Sequence, residues 1–100
     1  MLTATAVVPT DAAVRYAKQL LGHLGRKNSV EAIDGAPEGG RLVFAYGFGT
    51  VRPEGGHLVL EALAADDESL LRVQDVLARH LERFGARREL TVEWSTSQDR

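Results

Sequence analysis

Two stretches, TDAAVRYAKQLLGHLGR (residues 10–26) and DESLLRVQDVLARHLER (residues 67–83), follow one script and decide the fold. Each opens on a residue suited to capping a helix, and each closes on His-Leu-x-Arg, at His23–Arg26 and His80–Arg83. Arg15 answers Arg72, and Leu20 answers Leu77. Helical spacing joins Ala13, Ala17, Leu20, Leu21 and Leu24 into one apolar stripe, flanked by Val14 and Tyr16. Leu70, Val73, Leu77, Leu81 and Phe84 make a second stripe, with Glu68–Arg72 and Asp75–Arg79 as ion pairs on the wet side. Thr10 is the expected cap of the first helix, with Asp11 in its first turn, and Asp66 or Asp67 caps the second. Gly25 and Gly85 are the expected stops, because a left-handed terminal residue costs glycine nothing.

Outward from the helices the pattern turns to strands. Leu2–Val8 reads as a first strand and Ser29–Asp34 as a second. Residues 35–40 (GAPEGG) have the composition of a loop before Arg41–Tyr46. Gly47-Phe48-Gly49 suggests a turn or bulge leading into Thr50-Val51-Arg52, and Gly55-Gly56 a hairpin before His57–Ala62. Glu89–Trp94 alternates as a last strand, with Glu93 in the place that Glu31 holds in the first half. The expected layout is α+β, β-α-β-β-β-β-α-β. It is an antiparallel-dominated sheet with two helices on one face, pseudo-duplicated from two strand–helix–strand units. Residues 1–95 form the expected single domain and residues 96–100 a frayed tail.

Composition bounds the function classes. One hundred residues, 44% hydrophobic and 26% charged, suffice for one core without staples. The absence of cysteine removes disulfides, thiolate metal sites and cysteine nucleophiles. A formal charge of −2 gives no general pull toward nucleic acid. Met1–Pro9 is too short and lacks the basic start of a signal peptide, and no run reaches the length of a membrane span. A cytoplasmic protein is the expectation.

Candidate chemistry gathers at the helix ends. His23 and His80 hold equivalent positions, each a turn beyond a stripe residue. They fit a pair that binds metal or moves a proton, or edge residues favoured by the helix macrodipole. Antiparallel helices would hold them on the order of 15–20 Å apart, too far to share an ion. On that reading, added zinc or nickel leaves the melting point unmoved, and no cofactor is called for. Arg79, Arg83 and Arg87 form a basic ridge extended by Arg88, with Lys27, Arg15 and Arg26 as a smaller counterpart. Gly47-Phe48-Gly49 lacks the Lys-Ser/Thr of a phosphate loop, and Tyr46, Phe48 and Trp94 read as core before pocket.

The first helix, from Arg15-Tyr16 through residues 19–27, resembles that of a bacterial family known as domain of unknown function 2218. So do residues 76–88 and Leu90–Trp94, and the resemblance runs from about Ala4 to Trp94. It implies a small cytoplasmic α+β domain, found alone or near siderophore-interacting and iron-uptake proteins, with no activity attached. Arg15, Tyr16, His23, Lys27, His80, Arg83, Phe84 and Trp94 carry the resemblance. Similar proteins often have cysteine in place of Leu21 and histidine in place of Arg26, which weakens any shared thiol or metal role here.

These readings converge on a non-enzymatic binding domain. A surface of His23, Lys27, His80, Arg83 and Arg87 takes an anionic small molecule or an acidic protein partner. Binding indifferent to Arg83→Ala/Arg87→Ala would remove this reading. One alternative is a homodimer through the open sheet face with Phe44, Tyr46 and Phe48. Another is a metal-dependent or acid–base enzyme using His23 and His80, which requires the two rings to be close.

Overall fold

The computed structural model describes residues 1–85 and 90–97. The chain runs β1 (Leu2–Pro9), α1 (Ala13–Leu24), β2 (Ser29–Ile33), β3 (Ala36–Phe44), β4 (Gly47–Glu54), β5 (His57–Ala64), α2 (Asp67–Phe84) and β6 (Ser95–Ser97). Five strands make an antiparallel sheet in the order β2-β3-β4-β5-β1, and the three-residue β6 extends it past β1. Strands β2 to β5 form the expected meander, and β1 returns to pair with β5 from Leu2↔Ala64 to Pro9↔His57.

Alternation along the strands sorts the two faces. Ala4, Ala6 and Val8 lie beside Ala62, Leu60 and Leu58, and onward from these come Gly49 and Val51, then Leu42. These residues meet the helices, and their side chains are buried. Helix α1 contributes Ala13, Tyr16, Ala17, Leu20 and Leu24, and α2 contributes Leu70, Val73, Leu77 and Leu81. Tyr16, placed on the flank of the stripe by spacing, is in the core at 3% exposure. The small residues in the sheet centre let the helices approach closely. A Cβ on Gly49 would stand 3.1 Å from Leu77 Cδ1 and 3.2 Å from Phe44 Cε2, so that position is room for the helix.

Several local expectations are corrected. Gly47 and Gly49 are strand residues, and the turn before them is Ala45-Tyr46. Residues 36–40 are not loop but the first half of β3, reached through a two-residue turn at Asp34-Gly35 in which Gly35 has φ 79°. Helix α1 starts two residues later than the Thr10 cap implies. Thr10 Oγ1 instead accepts from the Ala12 amide at 3.1 Å, within the turn before the helix. Asp11 accordingly lies ahead of the first turn. Neither Gly25 (φ −68°) nor Gly85 (φ −96°) is left-handed. Glycine is needed at position 85 for space, since an added Cβ would run into the Leu90 side chain.

The final strand is displaced as well. Leu90–Trp94 is not strand, while Ser95–Ser97 pairs with Thr3–Thr5; Glu89 lies outside the described residues. Leu90, Val92 and Trp94 pack against the core as partly buried residues, and the Val92 amide donates to Glu82 Oε2 at 3.0 Å. Apolar alternation in this segment thus serves contact with α2 before pairing begins. The two strand–helix–strand units are also laid out differently: three strands separate β1 from β2, whereas β1 alone separates β5 from β6. The helix script repeats, but the sheet positions do not.

Two outcomes follow from this packing. Leu77→Ala removes a fully buried side chain from the helix–sheet contact and is expected to cost about 2–5 kcal/mol in urea denaturation. Asp66 caps α2 by accepting from the Ser69 amide at 2.7 Å, and that bond holds its carboxyl below the usual aspartate value. Its contribution is present above the unfolded-state value of about 4 and is lost as pH falls through the depressed one. Asp66→Asn should therefore flatten the acid limb of a melting-point-against-pH curve; an unchanged limb contradicts the cap's role.

Candidate functional site

Leu20 and Leu77 are both fully buried, which fixes the rotation of each helix about its own axis. Three residues on, His23 and His80 emerge at the same margin. Their ring centroids are 5.0 Å apart with planes tilted by 43°, and Phe84 and His23 form a T-shaped pair with centroids 5.7 Å apart. The separation of 15–20 Å expected for antiparallel helices is therefore corrected: the C-terminal ends converge. His23 is exposed and His80 half-buried.

The geometry assigns one tautomer. His80 Nδ1 lies 2.8 Å from the Val76 carbonyl oxygen. A carbonyl only accepts, so Nδ1 carries a proton and donates it. In the neutral ring this leaves Nε2 with its lone pair free for other partners. His23, in the last turn of α1, has no such anchor among the described contacts.

The rings stand over a cleft of about 370 Å³ lined by His23, Leu24, Arg26, Lys27, Asn28, Phe44, Tyr46, Val76 and His80. Asn28 Nδ2 donates to the Leu24 carbonyl at 2.9 Å, satisfying a helix-terminal acceptor and tying the loop across the end of α1. The aromatic floor is preorganised. Phe44 and Tyr46 stack at 5.3 Å with planes 9° apart, and the Arg72 guanidinium covers Tyr46 at 4.0 Å. Arg72 was expected to pair with Glu68 and is instead part of this stack.

The residues singled out by sequence are thus divided. His23, Lys27 and His80 share the cleft, and Arg26 joins them. Arg83 is exposed on α2 and does not line it, and Arg87 lies outside the described residues, as does Arg88. Arg79 is exposed and pairs with Asp75 at 2.9 Å. The aromatic trio separates: Tyr46 floors the cleft, Phe48 is on the opposite sheet face under Arg41, and Trp94 lies along α2 near Leu71 and Ala78. Sequence reasoning missed Arg72, Phe44 and Asn28 as parts of the site. Only the Ala45-Tyr46 turn, two residues between β-prone runs, signalled that Tyr46 would stand at the sheet's end.

Charge in the cleft is mixed by design of the fold. The C-terminus of α1 contributes partial negative charge, on the order of half a unit, while Arg26 and Lys27 add two full positive charges. No carboxylate lines the cleft among the described residues. Within those residues, too, no group of three or more His, Cys, Asp or Glu side chains is poised to hold a metal, and no helix is long and apolar enough to cross a membrane.

Comparison with known proteins agrees with the sequence resemblance. No curated protein matches the chain. The NMR structure of PA4090 from Pseudomonas aeruginosa superposes with a TM-score of 0.77 at 30% identity, covering 95% of this chain and 96% of that one. Residues 5–95 match the pattern of DUF2218, described as an uncharacterised protein conserved in bacteria. With a match across nearly its whole length and a structural relative at that identity, the chain belongs to the DUF2218 family.

Proposed function

We propose that the cleft between the helix C-termini binds a small anion carried on an apolar or flat body. The repeated helix script supplies the histidine pair, and we read it as one duplicated plan put to use at a single place. The observation that carries the proposal is the convergence of His23 and His80 above a stacked Phe44–Tyr46 floor, with Arg26 and Lys27 at the rim. Guanidinium and ammonium groups outweigh the dipole end of α1, so a carboxylate or phosphate is attracted. Leu24, Val76 and the aromatic floor take the apolar part. A cleft of about 370 Å³ suits a molecule of one or two rings and is small for a folded partner.

Benzoate and phenyl phosphate are suitable probes, with benzyl alcohol as the uncharged control. In an amide NMR titration both anions should shift residues 23–28, 44–46 and 76–80, and the alcohol should not. Arg26→Ala/Lys27→Ala removes two exposed side chains and should weaken binding roughly tenfold or more, since a hydrogen bond to a charged group contributes about 1.5–3 kcal/mol. Shifts scattered over the surface, or equal affinity in the double variant, would remove the proposal.

A second reading, self-association through the sheet face away from the helices, has its own support. On that face Val7 is 53% exposed beside Val59, and Phe48 lies between Val43 and Leu63. Phe44 and Tyr46, grouped with Phe48 by sequence, belong to the helix side and take no part. Sedimentation at micromolar concentration should give a dimer that Val7→Asp dissociates; a monomer at all concentrations rejects it.

A further inference from the structure

We infer that His23 and His80 form a two-imidazole site for one divalent ion of the zinc, nickel or copper class, with its remaining coordination positions open to the cleft. The inference stands on the rings themselves and does not depend on anion binding.

Three observations support it. Two imidazoles bound to one tetrahedral ion through bonds of about 2.0–2.1 Å have ring centres roughly 5 Å apart. His23 and His80 are separated by 5.0 Å. The second observation is the donation from His80 Nδ1 to the Val76 carbonyl, which fixes the ring and leaves Nε2 as the available ligand atom. A backbone carbonyl holding the far nitrogen is the usual support of a metal-binding histidine. Third, His23 stands in the last turn of α1, where the negative end of that helix dipole offsets part of the Arg26 and Lys27 charge.

The donor set narrows the ion. The chain has no cysteine, and neutral imidazoles suit zinc, copper and nickel better than calcium or magnesium. With no third His, Cys, Asp or Glu completing a group among the described residues, two ligands come from the protein. The other positions fall to water or to an exogenous anion. Arg26 and Lys27 oppose a bare dication, but they favour the anion that completes its shell. The competing arrangement is a tilted aromatic pair with no ion, which the same ring separation also permits.

The third histidine is an internal control, because His57 is exposed at the start of β5 on a different part of the sheet. The full chain, freed of metal with a chelator, is titrated with nickel chloride in a buffer without phosphate or carboxylate. Ring-proton NMR signals of His23 and His80 should broaden together at substoichiometric nickel, before those of His57. One equivalent of zinc chloride should raise the melting temperature. His23→Ala changes an exposed residue and should lower zinc affinity at least about tenfold. His80→Gln is the second variant and should do the same. Equal broadening at all three histidines, a melting temperature indifferent to zinc, or unchanged zinc affinity in folded His23→Ala would overturn the inference. None of these outcomes bears on benzoate or phenyl phosphate binding, which is measured without metal.

Discussion

The contact of Leu77 with the gap at Gly49 is the constraint on which the rest of the arrangement depends. A leucine that is fully buried against a strand glycine fixes both the height and the rotation of α2 over the sheet. Leu20, equally buried, does the same for α1. Once both helices are set, the residues three positions onward have no freedom to diverge. His23 and His80 are brought to one margin by packing beneath them, and not by any attraction between imidazoles.

The cleft inherits its parts from the same packing. Phe44 ends β3 next to Gly47, and its ring touches the space that Gly49 leaves open. Tyr46 occupies the hairpin turn beyond it and is clamped between Phe44 and Arg72. Arg26 and Lys27 follow the end of α1, where Asn28 closes over the Leu24 carbonyl. A floor of stacked rings, a basic rim and two imidazoles arise from four separate segments. Their common cause is that small residues at the sheet centre let both helices settle close to it.

Much of this was legible in the sequence. The helix stripes, the Asp66 cap, the meander and the Gly55-Gly56 turn all follow from periodicity and turn chemistry, because each depends on neighbours in the chain. The misread segments depended on something farther away. Residues 36–40 have loop composition, yet pairing with β2 and β4 makes them strand; the Asp34-Gly35 dipeptide was the overlooked hairpin signal. Leu90–Trp94 alternates like a strand because it lies on α2. The histidines were nameable as equivalents, but their meeting depends on the direction in which the helices cross, which no local pattern encodes. Arg72 could be read only as a helix-surface charge until Tyr46 was found beneath it.

Convergence of the helix ends is the central claim, and a nuclear Overhauser experiment on the imidazole ring protons tests it most directly. Cross-peaks linking the rings of His23 and His80, together with contacts from His23 to Phe84, are predicted. Were the ring protons of His23 to contact only their own helix and those of His80 only α2, the helices would cross differently. The cleft would then have no basis.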